Sequence, residues 1–132
     1  MIGVNKIIYD VLMSNSELSN LVNNNIYILK IPEKDENGNE INNPVIQFGR
    51  IVNPSYNKST VEDNVTLMMN IYTSTYSEGI EIANKVRTIL EYLKGIDEEN
   101  NIKIKTVYID SITENYDFDG DCYIQTLRFN IK

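Results

Sequence analysis

The chain has 132 residues, a formal net charge of -7 and a sequence pI near 4.5, with 42% hydrophobic and 23% charged residues. That length fits one domain, 1–132, with room for a sizeable core, and the acidity opposes binding to duplex DNA unless the few cations cluster. With no histidine and a single cysteine, Cys122, the Ser-His and Cys-His nucleophile pairs, the usual zinc ligand and an intrachain disulfide are all excluded.

Apolar runs are only a few residues long, far short of the ~20 a membrane helix needs. The N-terminus has no basic stretch followed by an unbroken apolar run, so the expectation is a product folded in a cytoplasm. The acidity serves solubility; a sharper reading is a channel wall that does not hold the phosphates of passing DNA.

In chain order, residues 4–13 read as a helix, with Val4, Ile7, Ile8, Val11 and Leu12 at helical spacing. Ser14 and Glu17 have capping-box spacing and start a second short helix through Leu18, Leu21 and Val22. Asn23, Asn24 and Asn25 end it, since Asn tolerates the left-handed backbone of a helix terminus. Residues 26–31 read as a short strand and 32–43 as a polar loop turning at Asn37-Gly38. Pro44 introduces a strand over 45–52, with Ile46, Phe48, Arg50 and Val52 on one face, and Asn53-Pro54 breaks it. A second polar loop, 55–63, precedes a strand over 64–72.

In that third strand Val65, Leu67, Met69 and Ile71 alternate inward, which leaves Thr66, Met68, Asn70 and Tyr72 on the other face. A polar turn over 73–77, containing Tyr76, leads into the main helix. Its predicted N-cap is Ser77, its end is Lys94 with Gly95 as the stop, and Ile82, Ala83, Val86, Ile89, Leu90 and Leu93 form its apolar face. Glu81 and Lys85 form an i, i+4 pair on the other side. Residues 97–101 form a polar turn, and 102–113 a long strand whose alternation changes phase, placing a bulge near Thr106. An acidic turn, 114–121, precedes a final strand over 122–131 with Tyr123, Leu127, Phe129 and Ile131 inward. The fold class expected is α+β: a mostly antiparallel sheet of about five strands with two or three helices packed on one face.

Chemistry is sparse. Asn115, Asp117, Asp119, Gly120 and Asp121 have the spacing that begins a calcium loop, but its twelfth position, which needs a bidentate Glu, is Thr126. A β-turn is the better reading. Residues 35–40 lack even that spacing. Cys122 reads as a small buried apolar residue, with no adjacent cation to lower its pKa. Tyr72 and Tyr76 suit half-buried corners or an interface. No catalytic residue, metal ligand or cofactor site is expected, and no enzymatic activity.

The unit over 64–93 carries a resemblance. A strand ending in Tyr72, a short polar turn with Tyr76, and a helix of the pattern E-x-I-E-I-A-x-x-V-R-x-x-L resemble the tail-terminator (tail-completion) proteins of long-tailed bacteriophages. The likeness extends to Ser-x-Leu-x-x-Leu-Val at 16–22, Ile26-Tyr27, the run 44–48, and Tyr-x-x-x-Leu-x-Phe-x-Ile at 123–131. The loop 32–43 and the Asn-rich surface depart from the family's pattern.

The resemblance implies a small structural virion protein of a tail or neck, forming a ring, usually hexameric, that caps the head-proximal end of the tail tube. Its implied partners are further copies of itself, the tail-tube protein, a neck or head-closure protein and, in a contractile tail, the sheath protein. DNA passes through such a ring without sequence-specific binding, and no membrane is involved. The residues expected at ring and stacking contacts are Tyr72, Tyr76, Arg50, Met68, Asn37, Gly38, Tyr56 and Lys58, with the loops 33–42 and 55–63. Two rival readings are a head-closure or connector protein and a small ligand-binding α/β domain with no virion role.

Overall fold

The computed structural model describes residues 3–51, 65–99 and 102–132. The end of the second predicted strand, the break at Asn53-Pro54, the loop 55–63 with Tyr56 and Lys58, and the first residue of the third strand lie outside the described residues.

Helix α1 (Val4–Ser14) and the short helix α2 (Ser16–Leu21) open the chain. The second cap falls one residue later than the sequence implies. The Leu18 N–H donates to the Asn15 side chain at 3.0 Å, while the Ser14 hydroxyl turns back to the Asp10 carbonyl at 2.6 Å. Asn15 can do both jobs because its extended backbone separates the helices while its carbonyl side chain reaches forward. Asn23 and Asn24 then take φ of 52° and 61°, the left-handed exit expected of this run.

Strands β1 (Ile26–Ile28), β2 (Val45–Arg50), β3 (Val65–Thr73), β6 (Val107–Asp117) and β7 (Cys122–Ile131) form one sheet in the order β1-β2-β3-β7-β6. Only β1–β2 is parallel. The architecture is thus the expected α+β class. β1 stops at Ile28 because Leu29 adopts φ 64°, which no extended strand accommodates. A small separate hairpin pairs β4 (Gly95–Asp97) with β5 (Ile102–Ile104).

Helix α3 (Tyr76–Leu90) connects β3 to this hairpin. Its cap is Thr75, whose side chain accepts from the Glu78 N–H at 3.3 Å, so Ser77 is already inside the first turn. The helix ends four residues before the predicted Lys94. Glu91 becomes extended and Tyr92 takes the left-handed role usually given to Gly, at φ 66°, donating its N–H to the Val107 carbonyl. Gly95 does not stop the helix; it begins β4. Lys85 reaches across to Glu17 of α2 rather than to Glu81, tying two helices together.

The predicted strand 102–113 is two strands. Its phase change near Thr106 is real, but Lys105 and Thr106 leave one sheet and enter another, both donating to the Lys132 carbonyl. The bulge itself lies between Ile109 and Ser111. The acidic turn is also shorter than expected: β6 continues to Asp117, leaving 118–121 as the turn.

One core lies between the helices and one sheet face. Val4, Ile8, Leu12, Ile82, Val86 and Leu90 meet Phe48, Leu67, Met69, Leu127 and Phe129, all fully buried. Each buried Leu, Ile or Phe contributes about 1.5–3 kcal/mol relative to exposure. The period-2 pattern of β3 therefore fixes which face is dry.

Candidate assembly surfaces

Among the described residues, three surfaces remain once the core is closed. The first is the sheet face away from the helices. The register places Gln47, Asn70 and Thr126 side by side across β2, β3 and β7. The Asn70 amide donates to Gln47 Oε1 at 3.0 Å, and the Thr126 hydroxyl donates to Asn70 Oδ1 at 2.7 Å. Gln47 in turn donates to the Leu29 carbonyl at 2.7 Å. Beside this polar row, Met68 lies between Gly49 and Arg128, and Tyr72 between Val45 and Ile124. Met68 and Tyr72 are half-buried. Burial first, then the nearby Cys122 and Asp117, raise the Tyr72 phenol above its ordinary pKa. No described helix packs on this face.

Arg50, expected at a contact, shares its face of β2 with Phe48 as predicted, and that face is not the one Met68 is on. Phe48 is opposite Met69 and fully buried among the helices. Arg50 is opposite Leu67, in register with the core-facing residues, yet it is exposed. Parity decides both: Gly49, not Phe48 or Arg50, is the neighbour of Met68. Asn37 and Gly38 stand at an exposed loop tip, where Gly38 has φ 80° and the Asp35 carboxylate accepts the N–H groups of Asn37 and Asn39 at 2.9 Å each.

The second surface lies on the helix side, at the β6–β7 turn. Tyr76 is not in a turn with Tyr72; it opens α3 and lies on the opposite side of the sheet. Its hydroxyl donates to Glu114 Oε1 at 2.7 Å, and that same oxygen accepts from the buried Gln125 amide at 3.3 Å. The bond to Glu114 first, then burial, raise the Tyr76 pKa. The Tyr76 ring meets Tyr123 edge-on at 6.0 Å, Tyr123 meets Tyr116 at 5.0 Å, and Tyr116 meets Phe118 at 4.9 Å. Edge-to-face pairs at such distances each add about 0.5–1.5 kcal/mol beyond burial.

Tyr116 donates to Asp121, which pushes its phenol up to about 12. The Asp119 N–H donates to the Asp117 carboxylate at 3.1 Å, and a Cβ on Gly120 would come within 2.8 Å of Asp117 Oδ2. These carboxylates therefore serve the turn. Among the described residues no group of three or more Asp, Glu, Cys or His side chains is arranged to hold a metal ion. Cys122 is buried, and burial, then Asp117 and Asp121, push its thiol pKa up, away from reactivity. Phe118 nevertheless stands 86% exposed. Sequence reasoning passed over it, although a lone phenylalanine in an otherwise acidic turn was the available signal.

The third surface is the β4–β5 hairpin at the other end of β6 and β7. Ile96 and Tyr92 are 70% and 71% exposed there. An open groove runs along Lys94, Ile96, Lys103 and Ile104. The expected helix end and polar turn hid it.

No family model matches the chain, and no curated protein does. Among solved structures, a chain of the virion of a native gene transfer agent particle is similar to this one, with a TM-score of 0.72 and 13% identity over 94% of this chain and 89% of that chain. Likeness at that identity shows a shared fold, and at such coverage it includes nearly every element described above.

Proposed function

We propose that this chain is a structural protein of a phage-like particle, and that it acts as a tail terminator: a ring on the head-proximal end of the tail tube. The observation that carries the reading is the near-full-length likeness to a chain of a gene transfer agent virion, joined to the sequence resemblance over 64–93. Surface chemistry supports it. The described residues offer broad mixed faces rather than a chemical cleft: a half-polar sheet face with Met68 and Tyr72, and exposed aromatic and aliphatic side chains at both ends of the β6–β7 hairpin.

In this proposal a subunit uses two different patches to bind two neighbours, and rotation closes the set into a ring. One ring face binds the last tube ring, and the other lacks the tube's own joining surface, so growth stops and neck proteins attach. Net acidity keeps the channel from holding DNA phosphates.

The test is mass in solution by light scattering, with and without purified tail-tube protein. A hexamer, or a monomer that forms rings on tube ends and halts their growth, supports the reading. A chain that stays monomeric at high concentration and never associates with tubes overturns it.

A further inference from the structure

The β6–β7 turn and the β4–β5 hairpin at the other end of those strands carry opposite charges. At the turn end, Phe118 projects from Asp117, Asp119 and Asp121. At the opposite end, the exposed Ile96 lies between Lys94 and Lys103 along an open groove, while Ile104 beside it turns into the core. Ile96 and Lys103 are directly paired across β4 and β5, so both project from the same side of that hairpin. Asp97 ends β4 next to Ile96, and Glu98 and Glu99 follow in the turn.

A chain cannot join its own two ends. The turn precedes Cys122 and the groove end adjoins Lys132, so the ten residues of β7 separate them, a span of about 33 Å. Neither hairpin can fold back, because β7 is held between β3 and β6 along its length. The phenyl tip is also preorganised. Its contact with Tyr116, and the chain of ring contacts through Tyr123 to Tyr76 on α3, fix its direction before binding, which lowers the entropy cost of association.

We infer that the acidic Phe118 tip of one copy seats in the Lys94–Lys103 groove of a second copy, as a head-to-tail contact. The partner is this same chain because an acidic tip and a basic groove are both present in it, and opposite charges at the rim would steer and orient the encounter. A head-to-tail contact is heterologous, the kind that closes into rings. It rests on the ring reading for its biological setting, but it is tested separately.

The experiment compares wild type with Phe118→Ser, Asp119→Lys, Lys103→Glu and the double reversal Asp119→Lys/Lys103→Glu. Self-association is followed by sedimentation and light scattering, alone and with tail-tube protein, and folding is checked by circular dichroism. Phe118→Ser and each single reversal should weaken association by roughly tenfold or more, the ordinary loss for an interface anchor. The double reversal should restore it. As a positive readout, the double variant Phe118→Cys/Ile96→Cys should form a ladder of disulfide-linked copies under oxidation.

If wild type forms rings and the variants form them equally well, the contact is overturned while the ring reading stands. If Phe118→Ser forms rings but no longer halts tubes, the tip binds the tube and the inference also fails. Wild type that associates through Phe118 but ignores tubes would keep the contact and overturn the terminator reading. Wild type that associates in neither setting would overturn both.

Discussion

The start of α3 separates the two accounts of this chain most cleanly. Sequence spacing makes Ser77 the N-cap, whereas the structure gives that role to Thr75, with Ser77 exposed in the first turn. Thr75→Ala removes an acceptor for the Glu78 N–H, worth about 1 kcal/mol at a typical cap. Unfolding entropy for a chain of 132 residues is roughly 0.28 kcal/mol/K, so the melting temperature should fall by about 3–4 °C. Ser77→Ala should leave it unchanged or raise it slightly, because Ala is the better helix former by up to about 0.5 kcal/mol. Differential scanning calorimetry on the two single variants is sufficient. A larger loss from Ser77→Ala than from Thr75→Ala would refute this reading of the cap. It would also undo the placement of Tyr76 against Glu114, since a helix starting two residues later would leave Tyr76 in the turn.

Phe129→Ala should cost about 3–5 kcal/mol in denaturant unfolding, as a fully buried ring at the sheet centre, while the exposed neighbour Arg128→Ala should stay within about 0.5 kcal/mol. Lys85 holds the Glu17 carboxyl below its ordinary value. That ion pair's contribution is therefore present above pH 4.5, the ordinary Glu value, and lost as pH falls through the lowered one; acid unfolding of Glu17→Gln should be correspondingly less steep than wild type. The Tyr116 phenol is raised to about 12, so its bond to Asp121 supports the turn below the ordinary tyrosine value of 10.0 and is lost as pH climbs toward 12. A phenolate absorbance titration should show one tyrosine ionising near 12, and Tyr116→Phe should remove that step.

How much was legible follows from the range of each interaction. Period-2 and period-3.6 patterns located α1, β3, α3 and β7, because burial of one face is written into consecutive residues. Met69 inward and Met68 outward followed from the same alternation. Helix ends were less legible. Thr75, Asn15 and Tyr92 took roles that Ser77, Ser14 and Gly95 could equally have filled by type. The choice rested on where β3 ends and where Val107 offers a carbonyl.

Surface groupings were less legible still. Tyr72 and Tyr76 are four residues apart and lie on opposite sides of the sheet, because β3 ends at Thr73 and Tyr76 is the first residue of α3. Tyr76, Glu114, Tyr116 and Tyr123 come from three elements, and only the register of β6 on β7 puts them together. The sequence by itself determined the α+β class, the single core and the absence of histidine chemistry, since these depend on composition and local periodicity. Tertiary structure alone decided that an acidic aromatic tip, at the β6–β7 turn, and a lysine-lined groove, on the β4–β5 hairpin, stand at opposite ends of β7. Long-range strand pairing sets that arrangement, and no local pattern encodes which distant residues will become neighbours.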